Sequence, residues 1–236
     1  MNGEYANSNY YGYDEDSIKR MYQGLYDAYE VLVKNVGGEL QTEVINPIGD
    51  FWYAKEAQNT GDAIVNVINN EFTDALLTTY GQLTEYLEGV ARTWAEYTQN
   101  SPVVNTVGNS SSRISVNRDT IKESLDGKFV GINSEKATSY TDGLTGVKEK
   151  ITSAISETYS KIRELAPFVG GQQEQAVLGL IKKLEDSVTN MFSFVIDGSG
   201  SFSGSNADFK GIKQAMLDWT EEYKIRAENA KKAMEQ

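Results

Sequence analysis

The chain has 236 residues, 39% of them hydrophobic, which suffices for a real core in one long bundle or two small domains. Its formal net charge of -12 sets 34 acidic against 22 basic residues, a balance that repels phosphate backbones and anionic lipid headgroups and argues against nucleic-acid partners and membrane surfaces. There is no cysteine and no histidine, so disulfides, thiol nucleophiles and zinc sites built on those residues are excluded, and the side chain that most often carries protons near neutral pH is missing.

Residues 1–13 are rich in Gly, Asn, Ser and Tyr without periodicity and read as a flexible arm. They lack the apolar core of a cleavable signal peptide, and no apolar run along the chain is long enough to span a membrane. Asp14, Glu15 and Asp16 then place negative charge in a first helical turn. Ile18, Met21, Tyr22, Leu25, Tyr29, Leu32, Val36, Leu40 and Val44 follow at steps of three and four, one apolar stripe on a long helix with room for a bend at Gly37 and Gly38. Breakers at Asn46, Pro47, Gly49 and Asp50 stop that helix.

A second helix is expected from Tyr53 or Ala54 to about Asn100, with Ala57, Gly61, Ile64, Ile68, Phe72, Ala75, Leu76, Leu83, Leu87, Val90, Trp94 and Tyr97 on its inner face. Residues 101–133 change texture and read as a linker with a possible short helix around Arg118 to Leu125. The second helical region, 134–236, begins with a helix marked by Tyr140, Leu144, Val147, Ile151, Ile155, Tyr159, Ile162 and Leu165, and Pro167 with Gly170 and Gly171 either ends or kinks it. A fourth stripe carries Val177, Leu180, Ile181, Leu184, Val188, Met191 and Val195. After the Gly- and Ser-rich turn from Asp197, a last helix is expected from about Ser205, with Ile212, Met216, Trp219, Tyr223, Ala230 and Met234 facing inward. The fold class is therefore all-α, built of long antiparallel hairpins in an elongated four-helix-type bundle.

The two breaker clusters overlay one another. Trp52-Tyr53-Ala54 has Ala57 and Gly61 at the fifth and ninth positions beyond the Trp, and Phe202-Ser203-Gly204 has Ala207 and Gly211 at the same offsets. An aromatic at a hairpin tip packs over the turn, and small residues just below it let two backbones approach closely. This repeat resembles the WXG superfamily, helical hairpins exported without a leader by the type VII (ESX) secretion systems of Gram-positive bacteria and mycobacteria. Residues 14–100 carry the first copy and 171–236 the second, a tandem or fused pair.

Each copy keeps one half of the signature: Trp52 is followed by Ala54 where the family has Gly, and Gly204 is preceded by Phe202 where it has Trp. The family's export tag, Tyr-x-x-x-Asp or Tyr-x-x-x-Glu after the second helix, is absent, since Ser101 follows Tyr97 and Ala227 follows Tyr223 at that spacing. The resemblance implies a secreted or virulence-associated factor, or a cytoplasmic escort of another substrate, that works by helix-to-helix protein binding and takes no cofactor. Its implied partners are a WXG-like protein, a secretion ATPase or a co-secreted toxin, with the chain itself a monomer or homodimer.

Each sharper reading has a plain counterpart. Trp52 is either a recognition knob or a hydrophobic cap on the tip, and the cap is favoured. Asp197, Ser199, Ser201, Ser203, Ser205 and Asp208 alternate like a calcium loop, but Phe202 stands where that loop needs Gly and Asp208 where it needs Glu, so no metal is expected. Acidic pairs such as Glu85 with Glu88 read as solvated helix faces, so no catalytic residue is assigned. The competing function is a structural or pore-forming helical rod, which liposome leakage would separate from an adaptor. The whole reading needs the chain to reverse at residues 47–52 and 197–202 without β structure in either stretch.

Overall fold

A computed structural model describes residues 15–166, 171–199 and 209–235; the side chains of 171–173 are outside it, as are the arm 1–13, Pro167, Phe202, Ser203, Gly204 and Ala207. Among the described residues the chain is all-α apart from one two-stranded ladder of two residues each and an isolated bridge between Leu125 and Phe129. Helix α1 (Glu15–Glu39) passes into a π-helical stretch, Leu40–Ile45, and a 3-10 turn, Asn46–Asp50. Strand β1 (Trp52–Tyr53) precedes α2 (Lys55–Asn66), a second π-helical stretch, Val67–Phe72, and α3 (Thr73–Thr98). Strand β2 (Gly131–Ile132), α4 (Ser134–Leu165), α5 (Gly171–Asp197) and α6 (Ile212–Met234) complete the order.

The residues group into two compact units, each assembled from three stretches of chain: 1–35, 73–113 and 153–189 in one, 36–72, 114–152 and 190–236 in the other. The first unit packs parts of α1, α3, α4 and α5. Tyr29 of α1 stacks on Tyr80 of α3 with ring centroids 5.0 Å apart, while the charges of Glu88 and Arg92 reach Tyr22, so α1 and α3 run antiparallel there. Gly24 leaves room for Leu165, and Tyr159 donates to Thr79 Oγ1 at 3.1 Å, which seats α4 against both. Between them lies a cavity of about 20 Å³, room for a single water, lined largely by Leu25, Leu32, Leu76 and three tyrosines. Burial pushes the Tyr22 and Tyr159 hydroxyls up to about 12.

In the second unit, Lys150 of α4 pairs with Glu39 at 2.6 Å and Tyr140 donates to the Val44 carbonyl at 2.8 Å, antiparallel again. Asn133 caps α4, its side-chain oxygen accepting from the Lys136 N–H at 3.0 Å. In the first unit α3 stops where Gln99 takes a left-handed φ of 56° and the Asn100 N–H returns to the Ala95 carbonyl, a Schellman-type stop.

Every residue of the α1 stripe is buried, from Ile18 to Val44. Elsewhere the structure departs from the pattern in several places. Tyr97 is 82% exposed, because the stripe of α3 runs through Leu83, Leu87, Ala91 and Ala95 at near-helical pitch instead of through Val90 and Trp94. No helix forms at Arg118 to Leu125; Ile121 N–H bonds back to the Arg118 carbonyl in a turn, and Leu125 bridges Phe129. The last helix begins at Ile212, with Phe209 to Gly211 non-helical instead of continuing a helix from about Ser205, and Ala230 and Met234 face solvent, since α6 buries only Ile212 and Met216. Finally, Trp52 and Tyr53 pair antiparallel with Ile132 and Gly131, so the first reversal contains a short ladder where a bare turn was required.

Candidate functional site

The first reversal is built around Trp52. Pro47 opens the 3-10 turn that follows the π-helical stretch, Ile48 and Phe51 are buried there, and the ladder delivers the Trp52 indole inward to full burial. Trp219 of α6 lies tilted against it with centroids 5.6 Å apart, and Tyr223 meets it edge-on at 6.5 Å. Arg226 closes the cluster, its guanidinium 5.4 Å from the centre of the Tyr223 ring and 6.0 Å from that of Trp219. The same guanidinium reaches Glu56 at 3.3 Å. The Glu56 carboxyl is held below its ordinary range by its own backbone N–H, against the opposing effect of burial, and then by Arg226.

Trp52 Nε1 has no acceptor among the described residues, although the atom is buried. Tyr53 is half-buried and meets Phe129 edge-on at 6.3 Å, and Ala54, fully buried and extended, donates its N–H to the Lys122 carbonyl at 3.2 Å. Ala54 is fully buried, which accords with a small residue at that place. Phe202, Ser203 and Gly204 lie outside the described residues.

The small residues of the two copies are not equivalent. Gly61 lies within α2, whereas Gly211 precedes α6 with φ 90°, and a Cβ on it would come within 2.4 Å of the Gly198 nitrogen. Gly211 therefore serves a tight crossing of backbones before the helix. Gly61 does not admit a second helix either; a Cβ there would meet Ile121 Cδ1 at 2.7 Å.

That contact belongs to a feature the sequence reading passed over as linker. Residues 114–121 form an irregular strap in the second unit. Asn69, in the second π-helical stretch, donates to the Val116 carbonyl and accepts from the Val116 N–H, both at 2.8 Å. Gln41, in the first, donates to the Asn117 carbonyl at 3.0 Å and accepts from the Asn117 N–H at 2.8 Å. Gln58 donates to the Ile121 carbonyl at 3.2 Å, and Arg118 bonds to Asp62. In the first unit the preceding stretch is held in the same manner, with Ser110 and Ser112 both donating to the Glu30 carboxylate and Tyr29 donating to the Ser112 carbonyl. The available sequence signal was the alternation of Ile114 and Val116 with polar residues.

Asp197, the first ligand of the hypothetical calcium loop, has its carboxylate engaged by Lys148 Nζ at 2.7 Å and by the Ser199 N–H at 2.9 Å. Burial raises the Asp197 carboxyl, but these bonds outweigh it and leave it below the ordinary range. Among the described residues no three Asp or Glu side chains converge as a metal site would need. Comparison with protein-family models, with curated proteins and with solved structures returns no match.

Proposed function

We propose that this chain is a non-enzymatic helical protein of a type VII (ESX) secretion system, acting as an exported factor or as the escort of another secreted substrate, through helix-to-helix protein binding. The observation that carries the reading is the placement of Trp52: a fully buried aromatic at the point where the first helical rod ends and the second begins, clasped by Trp219 and Tyr223. An aromatic tip over a helical hairpin is what the resemblance to the WXG superfamily implies. The antiparallel course of α1 and α3 within the first unit agrees with it. The ladder at Trp52–Tyr53 puts β structure into the first reversal, where the resemblance requires a bare turn, and counts against it there; the unlike settings of Gly61 and Gly211 weigh against two equivalent hairpins. The proposal therefore rests on the chain reversal at Trp52 and the buried aromatic there, not on the full signature.

Full burial makes Trp52 a cap that fixes the tip, and the partner-facing surface is then the outer faces of the rods. The decisive experiment is to express the full chain with an affinity tag in its own host and identify what it captures, while probing the culture medium with and without the secretion ATPase. Recovery of a WXG-like protein, a toxin or the ATPase, or ATPase-dependent appearance in the medium, supports the proposal. A chain that stays in the cell and captures none of these overturns it.

A further inference from the structure

The strap is gripped as a bound peptide is gripped. Consecutive residues of an extended chain turn their N–H and C=O groups to opposite sides. Here the pair on Val116 goes to Asn69 and the pair on Asn117 goes to Gln41, so the two helical walls each take one residue. A carboxamide presents one donor and one acceptor side by side, the same face a neighbouring β-strand would offer. Such bonds read only backbone.

Selectivity comes from the side chains between the clamps. Ile114 and Val116 are 2% and 3% exposed on the floor, while Ser115 and Asn117 face solvent. Arg118 pairs with Asp62 on the wall. Glycines make the room. A Cβ on Gly49 would come within 2.3 Å of the Thr120 carbonyl oxygen, one on Gly61 within 2.7 Å of Ile121, and one on Gly37 would touch Ile114 at 3.5 Å. The strap belongs to the long non-helical connection between α3 and α4, so lifting it out requires no helix to unwind.

We propose that this groove is a recognition site for an extended segment of a partner protein, one with β-branched aliphatic residues at alternate positions and a basic residue two places after the second, and that the chain's own strap fills the groove until such a segment displaces it. The inference stands on the clamp geometry and is independent of the secretion reading.

The test uses the full chain and a fluorescent peptide with the sequence of residues 111–122, read by anisotropy. A tethered strap competes at an effective concentration of the order of millimolar, so the unaltered chain binds the free peptide weakly. A chain carrying Ile114→Asp and Val116→Asp is expected to bind it at least about tenfold more tightly, and adding Asn69→Ala is expected to remove that gain. A strap-weakened chain that keeps the parent's helical circular dichroism but gains no affinity overturns the proposal. Should that chain fail to fold, hydrogen exchange on the unaltered protein decides. Amides of Val116 and Asn117 that exchange at least about tenfold faster than those of Leu76 and Leu83 support a displaceable strap, and amides that exchange only with global unfolding overturn it.

Discussion

The strap and helix α6 belong to the same unit and are held in opposite ways. The strap has no regular structure, yet its backbone is satisfied by side chains of both walls and Ile114, Val116 and Ile121 are buried. Helix α6 is regular from Ile212 to Met234, yet it buries only Ile212 and Met216, leans Trp219 and Tyr223 on Trp52, and leaves every residue beyond Tyr223 exposed. Regularity is thus a poor guide to attachment. What fixes a segment is apolar burial together with satisfaction of its polar groups by the rest of the fold, and a helix satisfies its own backbone wherever it points.

The largest effect should come from Trp52, on which Trp219 and Tyr223 of α6 lean. Trp52→Ala removes a fully buried indole against Trp219 and Tyr223 and should lower stability by about 3 kcal/mol in urea denaturation. A loss below about 1 kcal/mol would mean that the aromatic cluster does not anchor the tip. Partner capture sharpens the result: unchanged melting with lost capture would turn Trp52 from cap into recognition knob.

Next in size is a steric attack on the strap. Gly49→Ala puts a methyl group 2.3 Å from the Thr120 carbonyl oxygen, where backbone must move, and a cost of about 2 kcal/mol is expected. Gly38→Ala is its counterpart, since nothing lies within 4 Å of a Cβ there and the residue is inside α1. It should stabilise by about 0.5–1 kcal/mol through helix propensity alone. Opposite signs from two glycines eleven positions apart, read in parallel thermal melts, would place the strap and not the helix as the constraint at Gly49.

Asn69→Ala attacks the same segment through its polar clamp. It leaves the Val116 N–H and C=O without that carboxamide, at a cost of about 1–2 kcal/mol. The loss should be accompanied by faster hydrogen exchange at Val116 and Asn117. A uniform rise in exchange across α3 as well would mean that the strap and the rods open as one.

These expectations also mark what could be read from residues alone. The α1 stripe was legible because helix period is a local property: nine positions from Ile18 to Val44 obey it, and all are buried. The end of the rod at Asn46-Pro47 was legible because proline acts on its own neighbourhood. The clamps were not, because Asn69 meets Val116 and Gln41 meets Asn117 across 47 and 76 positions, and an Asn or Gln on a helix usually faces water. The π-helical stretches at Leu40–Ile45 and Val67–Phe72 carry no distinct local pattern either, although the clamping amides sit in them. Gly61 illustrates the same limit. Its smallness correctly implied a close approach, but what approaches is Ile121 of the strap.

The smallest effect is expected at the free end of α6, and it bears on the comparison most directly. Met234 continues the stripe that begins at Ile212 and Met216, so its spacing alone would assign it to a core. It is 81% exposed, so truncation removes almost no apolar surface from a packed setting. Met234→Ala should therefore change stability by less than about 0.5 kcal/mol, while the same change at Met216, fully buried on the same face, should cost about 2–4 kcal/mol. The contrast between two methionines on one helix face isolates burial from periodicity. If both substitutions cost the same, the outer half of α6 is covered in solution, and a drop in that cost on dilution would identify the cover as a second copy of the chain.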